Sequence, residues 1–190
     1  TPTMSSLIII AHVKDGVDLA VKHKLNPRII DVIQEHHGDS LVYFFYRRAQ
    51  EQKKADMEKV DRRLENPEDL PILDEKNFRY PGPRPSTRES GIIALADSIE
   101  SASRSLQKPT PAKIRSLVED LTRAKINDGQ LDDCPLTLRE LAIVKESFAT
   151  TLRSMLHSRI DYPKEDGPAT KRPGSDATHG GRVIPMPKRA

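Results

Sequence analysis

Apolar positions recur along this chain at intervals of three and four residues instead of alternating. Ile92, Leu95, Ile99, Ala102 and Leu106 keep that spacing, as do Leu141, Val144, Phe148, Leu152 and Met155, so each set lines one face of an amphipathic helix. No segment keeps period two over a useful length, and Val, Ile and Thr do not cluster between turn residues as strands require. Proline is excluded from helix interiors, so the fifteen prolines mark where helices stop. The long gaps between them cover residues 3–26, 28–66, 86–108, 112–134 and 136–162, and each carries helical signals. Asn26 before Pro27 and Thr110 before Pro111 give the cap-then-proline order of helix starts. Ser86 with Glu89, and Thr137 with Glu140, have the spacing of a capping box. The second gap divides at Gly38, which stops a helix ending in His36 and His37. Beyond it a further helix is expected, with residues 43–46 packed inward and the charged run 47–59 in solvent. The pattern predicts an all-α fold, helical from about residue 5 to about residue 160.

Two stretches break the pattern. Residues 66–85 hold five prolines and read as a long surface loop that delivers Phe78, Arg79 and Tyr80 to a fixed position beside Pro81, Gly82 and Pro83. Residues 163–190 are rich in Pro and Gly and nearly empty of apolar side chains, so they cannot offset the entropy of folding and are expected to be a disordered tail. The division is therefore a helical domain over residues 1–162 and a tail over 163–190.

Composition agrees. Hydrophobic residues are 36% of the 190, below the roughly 45–50% of average domains, as a solvated tail would produce. The longest apolar run is residues 7–11, far short of the roughly 20 needed to span a bilayer, and no signal peptide is visible. Six cations and three anions beyond residue 162 account for the whole net charge of +3, which leaves the helical body neutral. A neutral body with eight aromatics and no Trp is poorly equipped to bind a nucleic-acid polymer. Cys134 stands alone, so it forms neither an internal disulfide nor a thiolate zinc site, and a reducing compartment such as the cytosol is the default. Thr1 is not an initiator Met and helical patterning begins almost at once, which suggests the downstream part of something longer.

Among the six histidines, three stand at instructive places. His12 follows the apolar run and is expected at the edge of a buried face, not on the surface. His36 and His37 continue the stripe of Ile29 and Ile33 by one turn. Neutral imidazole is a common metal ligand, and a pair at a helix end can converge. The alternative for each is an ordinary satisfied histidine, or a pair favoured by the helix dipole; His23, His157 and His179 are left in that class. Asp97 sits among Ile92, Ile93, Ala94, Leu95, Ala96 and Ile99, and a buried carboxylate needs a partner. A metal would serve, and so would an internal salt bridge or partial exposure. Ser101 and Arg104 are expected on the same helix face. No Gly-rich phosphate loop, Ser-His-Asp arrangement, HExxH or Cys pair is present.

The stretches IIIAHVKDGVDLA, NPRIIDVIQEHHGDSLVYFFYRRA, FRYPGPRPSTRESGIIALADSIESASRSL, DGQLDDCPLTLRELAIVKESF and HSRIDYP together closely resemble the HD domain of the bacterial seven-transmembrane HD phosphohydrolases, over residues 5–163. The order of H, HHG and the ALADSxE block makes the resemblance specific. It implies hydrolysis of the second messenger cyclic di-AMP at a binuclear site of two divalent ions, iron or manganese, in the cytoplasmic domain of an inner-membrane protein. It further implies His12, His36 and His37 as ligands of one metal and Asp97 as a ligand of the other. Arg104 is placed where related HD-GYP phosphodiesterases carry an arginine near the substrate, and Tyr80 and Gly82 would line the pocket and help hold a nucleobase. The family's first metal-ligating His and its His-Asp pair lie upstream of this stretch, as do its membrane helices, so the chain alone is expected to hold metal poorly and to be inactive. Uncovered apolar helix faces would then favour pairing with another copy. Two other readings stay open: an HD phosphodiesterase for another cyclic dinucleotide or nucleotide, and a helical module that binds a nucleotide or partner without turnover.

Overall fold

The computed structural model describes residues 1–63 and 72–157. Its helices are α1 (Pro2–Lys22), α2 (Pro27–Glu35), α3 (Tyr43–Arg63), α4 (Arg88–Ser103), α5 (Pro111–Asn127) and α6 (Leu138–His157), with a 3-10 turn at Glu75–Phe78 between α3 and α4. No strand occurs among the described residues, where one antiparallel bridge joins Leu41 to Arg79. The fold is all-α, as the periodicity predicts. The expected tail lies outside the described residues.

The local signals set the helix starts. Asn26 Oδ1 accepts from the Arg28 N–H at 2.9 Å, and Thr110 Oγ1 accepts from the Lys113 N–H at 3.3 Å. Thr137 and Glu140 close a reciprocal box: the Glu140 N–H donates to Thr137 Oγ1 at 3.2 Å, and the Thr137 N–H donates to Glu140 Oε2 at 2.8 Å. The expected box at Ser86 and Glu89 does not form. Thr87 caps α4 instead, accepting from the Ser90 N–H at 3.1 Å. Ser86 is engaged elsewhere: its N–H and hydroxyl donate to the two oxygens of Glu35, at 3.0 and 2.7 Å. Glu35 is buried at 7% exposure, and a buried carboxylate without donors would be far costlier than a cap shifted by one residue.

The core belongs to the second half of the chain. Leu95 and Ile99 of α4, Ile114 and Val118 of α5, and Leu141, Ala149 and Leu152 of α6 form one buried cluster, with Leu106 and Phe148 packed against it. In the first half α1 packs on α2, α3 and the 3-10 turn, and α2 packs on α4, which joins the halves. Two expectations fail here. Residues 43–46 do not all face inward, because four residues make a full helical turn. Tyr43 and Phe44 lie outside with the guanidinium groups of Arg47 and Arg48 over their rings, while Tyr46 meets Phe78 edge-on. The loop carrying Phe78 is not wholly a surface loop, since Phe78 is almost completely buried.

Candidate metal centre

Gly16 lets α1 and α2 approach closely, for a Cβ there would lie 3.0 Å from Ile33 Cγ2. That approach sets His12, one turn before Gly16, against His36, which caps the C-terminus of α2. His37 follows, and Gly38 ends the turn at φ +56°. The ligand nitrogens of His12, His36 and His37 all lie within 4.8 Å of one another.

Hydrogen bonding fixes the imidazoles. His36 Nδ1 donates to the Ile33 carbonyl at 2.7 Å, and His12 Nδ1 donates to the Ile9 carbonyl. Carbonyl oxygens only accept, so both Nδ1 atoms carry hydrogen and, in neutral rings, both Nε2 atoms present lone pairs. Those two Nε2 atoms face each other at 3.3 Å. Facing lone pairs repel unless a proton or a cation lies between them. Burial pushes the His37 pKa down to about 3, and a proton on His36 or His12, like the charge of Lys125, would push it the same way, so His37 is a neutral imidazole near pH 7. Three imidazoles with two backbone-anchored Nδ1–H groups form a donor set that fits a divalent metal ion.

Asp97 Oδ2 lies 3.6 Å from His37 Nδ1, beyond hydrogen-bond range, and Asp97 falls outside the set of mutually close ligand atoms. It is not buried, as its setting among apolar residues suggests, but 40% exposed at the side chain. Residues two positions apart on a helix point to nearly opposite sides, so burying Leu95 and Ile99 turns Asp97 out of the core toward α2. His12 also departs from expectation. It is exposed because nothing among the described residues covers its side of α1, where Ile8 is 69% exposed.

Tyr80 stacks on His37 at 4.2 Å between ring centroids. Its backbone is stitched in place: residues 78–82 run antiparallel to 38–42, with bonds from the Val42 N–H to Phe78 O, the Tyr80 N–H to Ser40 O and the Gly82 N–H to Gly38 O. Burial, then the charge of Asp97, raises the Tyr80 hydroxyl to about 12, so it stays protonated. Gly82 holds this stitching with φ +83°. Arg104 is exposed and paired with Glu100, one turn earlier on α4, at 2.9 Å, instead of turning to Asp97.

A polar network behind the histidines has no counterpart in the sequence reading. Arg79 donates to Asp128, to Glu75 and to the Asp39 carbonyl; Arg84 donates to Asp39 and to the Gly129 carbonyl. Gln130, 2% exposed, donates to Asp39 at 2.6 Å and to Asp128 at 2.9 Å. Together these bonds tie the loops after α2, before α4 and after α5 into one support. Its one visible sign in the sequence is the acidic turn at residues 128–133.

The helical fold is that of an HD domain. The chain is homologous to the HD domain of PgpH. The crystal structure of the Listeria monocytogenes phosphodiesterase PgpH HD domain in complex with cyclic-di-AMP matches with a TM-score of 0.68 at 34% identity, over 82% of this chain and 64% of that one. The cyclic-di-AMP phosphodiesterase PgpH of Bacillus subtilis is 38% identical over 90% of this chain and 21% of its own length. The Listeria monocytogenes PgpH sequence is 34% identical over 87% of this chain and 21% of its own length. The chain thus spans about a fifth of the length of these curated relatives. No protein-family model matches it. No described helix is long and apolar enough to cross a membrane.

Proposed function

We propose that this chain forms part of the catalytic centre of a metal-dependent phosphodiesterase that hydrolyses cyclic di-AMP, in the cytoplasmic domain of a membrane protein. The observation that carries the proposal is the pair of Nε2 lone pairs of His12 and His36 facing each other at 3.3 Å with both Nδ1 hydrogens bonded to carbonyls. Such a pair calls for a cation. Homology to a domain crystallised with cyclic-di-AMP supports the nucleotide.

His12, His36 and His37 would hold one ion and Asp97 would serve a second, with iron or manganese as the metals. Divalent ions of this kind supply Lewis-acid stabilisation of the phosphodiester oxygens. This chain's residues set the conditions for that. The Ile9 and Ile33 carbonyls fix ring orientation, burial keeps His37 unprotonated, and Tyr80 braces the His37 ring. Tyr80 is engaged with His37, so base stacking falls to neighbouring parts of the Pro-rich loop.

The test measures bound metal and cyclic di-AMP turnover in protein long enough to contain the whole homologous domain. H36A and H37A are expected to lower metal affinity about 10-fold or more and to abolish turnover. The 190-residue chain alone is expected to hold at most one ion, because the described residues contain a single ligand cluster. Unchanged metal content in both variants would refute the centre. Faster cleavage of cyclic di-GMP than of cyclic di-AMP would move the assignment to another cyclic dinucleotide.

A further inference from the structure

Helix α5 ends in a Schellman turn: Gly129 takes φ +70°, its N–H donates to the Ile126 carbonyl at 2.9 Å, and the Gln130 N–H donates to the Lys125 carbonyl at 3.0 Å. The residue after the glycine in such a turn commonly packs an apolar side chain back on the helix. Here it is a glutamine, 2% exposed. Its side chain donates to Asp39 Oδ1 at 2.6 Å and to Asp128 Oδ2 at 2.9 Å, so one amide nitrogen joins two carboxylates. Each carboxylate already has a guanidinium, Arg84 for Asp39 and Arg79 for Asp128, both at 3.0 Å. The amide adds two donors without adding charge.

The amide oxygen is turned the other way. It accepts no hydrogen bond among the described residues, and it lies against Gly38, where an added Cβ would collide with it. Reversing the amide would set that oxygen against two carboxylate oxygens, so the orientation is the one its neighbours permit. A buried oxygen without a donor is costly. An apolar side chain would fill the position without that cost, so the glutamine is explained by what its nitrogen holds. Gly38 directly follows His37, and Asp39 comes next. From 91 positions further along the chain, Gln130 thus holds the side chain of Asp39 and bears on the backbone of Gly38, at the point where the paired histidines leave α2.

We propose that Gln130 is a positioning residue for the histidine cluster: by holding Asp39 and bearing on Gly38 it fixes the direction in which the His36 and His37 rings are presented. The proposal rests on the reading of that cluster as a metal centre and names the residue, distant in sequence, that sets its geometry.

Protein containing the whole homologous domain is compared in the unsubstituted form and as Q130M, D39A and D39A/Q130M. Q130M keeps the length of the side chain and removes its donors, whereas D39A removes the acceptor. Three quantities are read: manganese affinity by calorimetry, the thermal midpoint, and the imidazole NMR signals of the metal-free protein, with His23 at the C-cap of α1 as the internal control. Q130M is expected to lower manganese affinity about 10-fold, the lower end of the range for groups that orient metal ligands. It should also move the His36 and His37 signals while His23 stays. D39A is expected to act in the same direction, and the double variant should bind no more weakly than the weaker single one, because both substitutions release one clamp. Manganese affinity of Q130M within twofold of the unsubstituted protein overturns the proposal, and so do fully additive losses in the double variant. A lowered midpoint or affinity with unmoved His36 and His37 signals overturns it too, being the mark of a purely structural glutamine. Should Q130M fail to fold, D39A decides by the same criteria. If the unsubstituted protein takes up no manganese, the metal reading falls and the ring signals decide alone: Gln130 keeps its role if Q130M moves them and loses it if Q130M does not.

Discussion

Glu35 shows how one buried side chain sets the position of others. Burial alone would push its carboxyl up, but hydrogen bonds from the Ser86 backbone and hydroxyl and from Ser90 outweigh that and hold it below its ordinary 4.5. A carboxylate with a lowered folded pKa stabilises the protein above its unfolded value, and that contribution disappears as pH falls through the lower folded value. E35Q should therefore cost about 1.5–3 kcal/mol near pH 7, the range for hydrogen bonds to charged groups. The difference should begin to shrink as pH falls below 4.5 and be lost once pH passes below the lower folded value, where the buried side chain also becomes neutral. Urea unfolding of both forms at the two pH values checks this; an equal cost in acid would show that geometry, not charge, holds Ser86. Glu35 precedes His36 directly, so its anchor to the start of α4 also fixes where the cluster begins relative to Asp97.

At the scale of elements, the junction after α2 governs the centre. Gly38 takes φ +56°, and a Cβ there would collide with the Gln130 amide. G38A should cost at least the roughly 1–2 kcal/mol of a left-handed non-glycine residue, and it should lower metal affinity, because the Gly38 carbonyl also receives the Gly82 N–H that holds the Tyr80 loop. A thermal midpoint and metal content equal to the unsubstituted protein would contradict that coupling. This junction was legible in the sequence in part. Helix starts at Asn26, Thr110 and Thr137, the stop at Gly38, and the histidines before it follow from signals within a few residues. The cap of α4 was misplaced by one residue because the competing acceptor, Glu35, lies 51 positions from Ser86. The Arg79, Arg84 and Gln130 network was invisible for the same reason, its long-range bonds spanning 40 to 91 positions. Periodicity ranks which face of a helix is apolar, but it does not say whether a neighbour covers that face, hence the wrong expectation of a covered His12 and the readings left open between burial and partial exposure at Asp97.

The whole molecule divides its duties. Helices α4 to α6 own the apolar core, whereas the histidines stand on α1 and α2, whose apolar residues are poorly covered. Leu7, Ile8, Leu19 and Val21 of α1 are 50 to 69% exposed, Ile29 of α2 is 49% exposed and Ile93 of α4 is 41% exposed. Covering a fully exposed side chain of this size stabilises by about 1.5–3 kcal/mol, so several half-exposed ones together form a substantial drive for association. The matched HD-domain structure is longer than the region this chain aligns with, 64% of it. A longer form of the protein and a second copy are thus two ways of covering the same face. The 190-residue chain is expected to associate with itself in a concentration-dependent way, and L7E/I8K is expected to shift it toward monomer with its helical circular dichroism unchanged, because both side chains lie outside the core. Sedimentation velocity over a range of concentrations measures this. A monomer at every concentration, with or without the substitutions, would mean that the α1 face is tolerated in water and that the exposure of His12 is a property of the site itself.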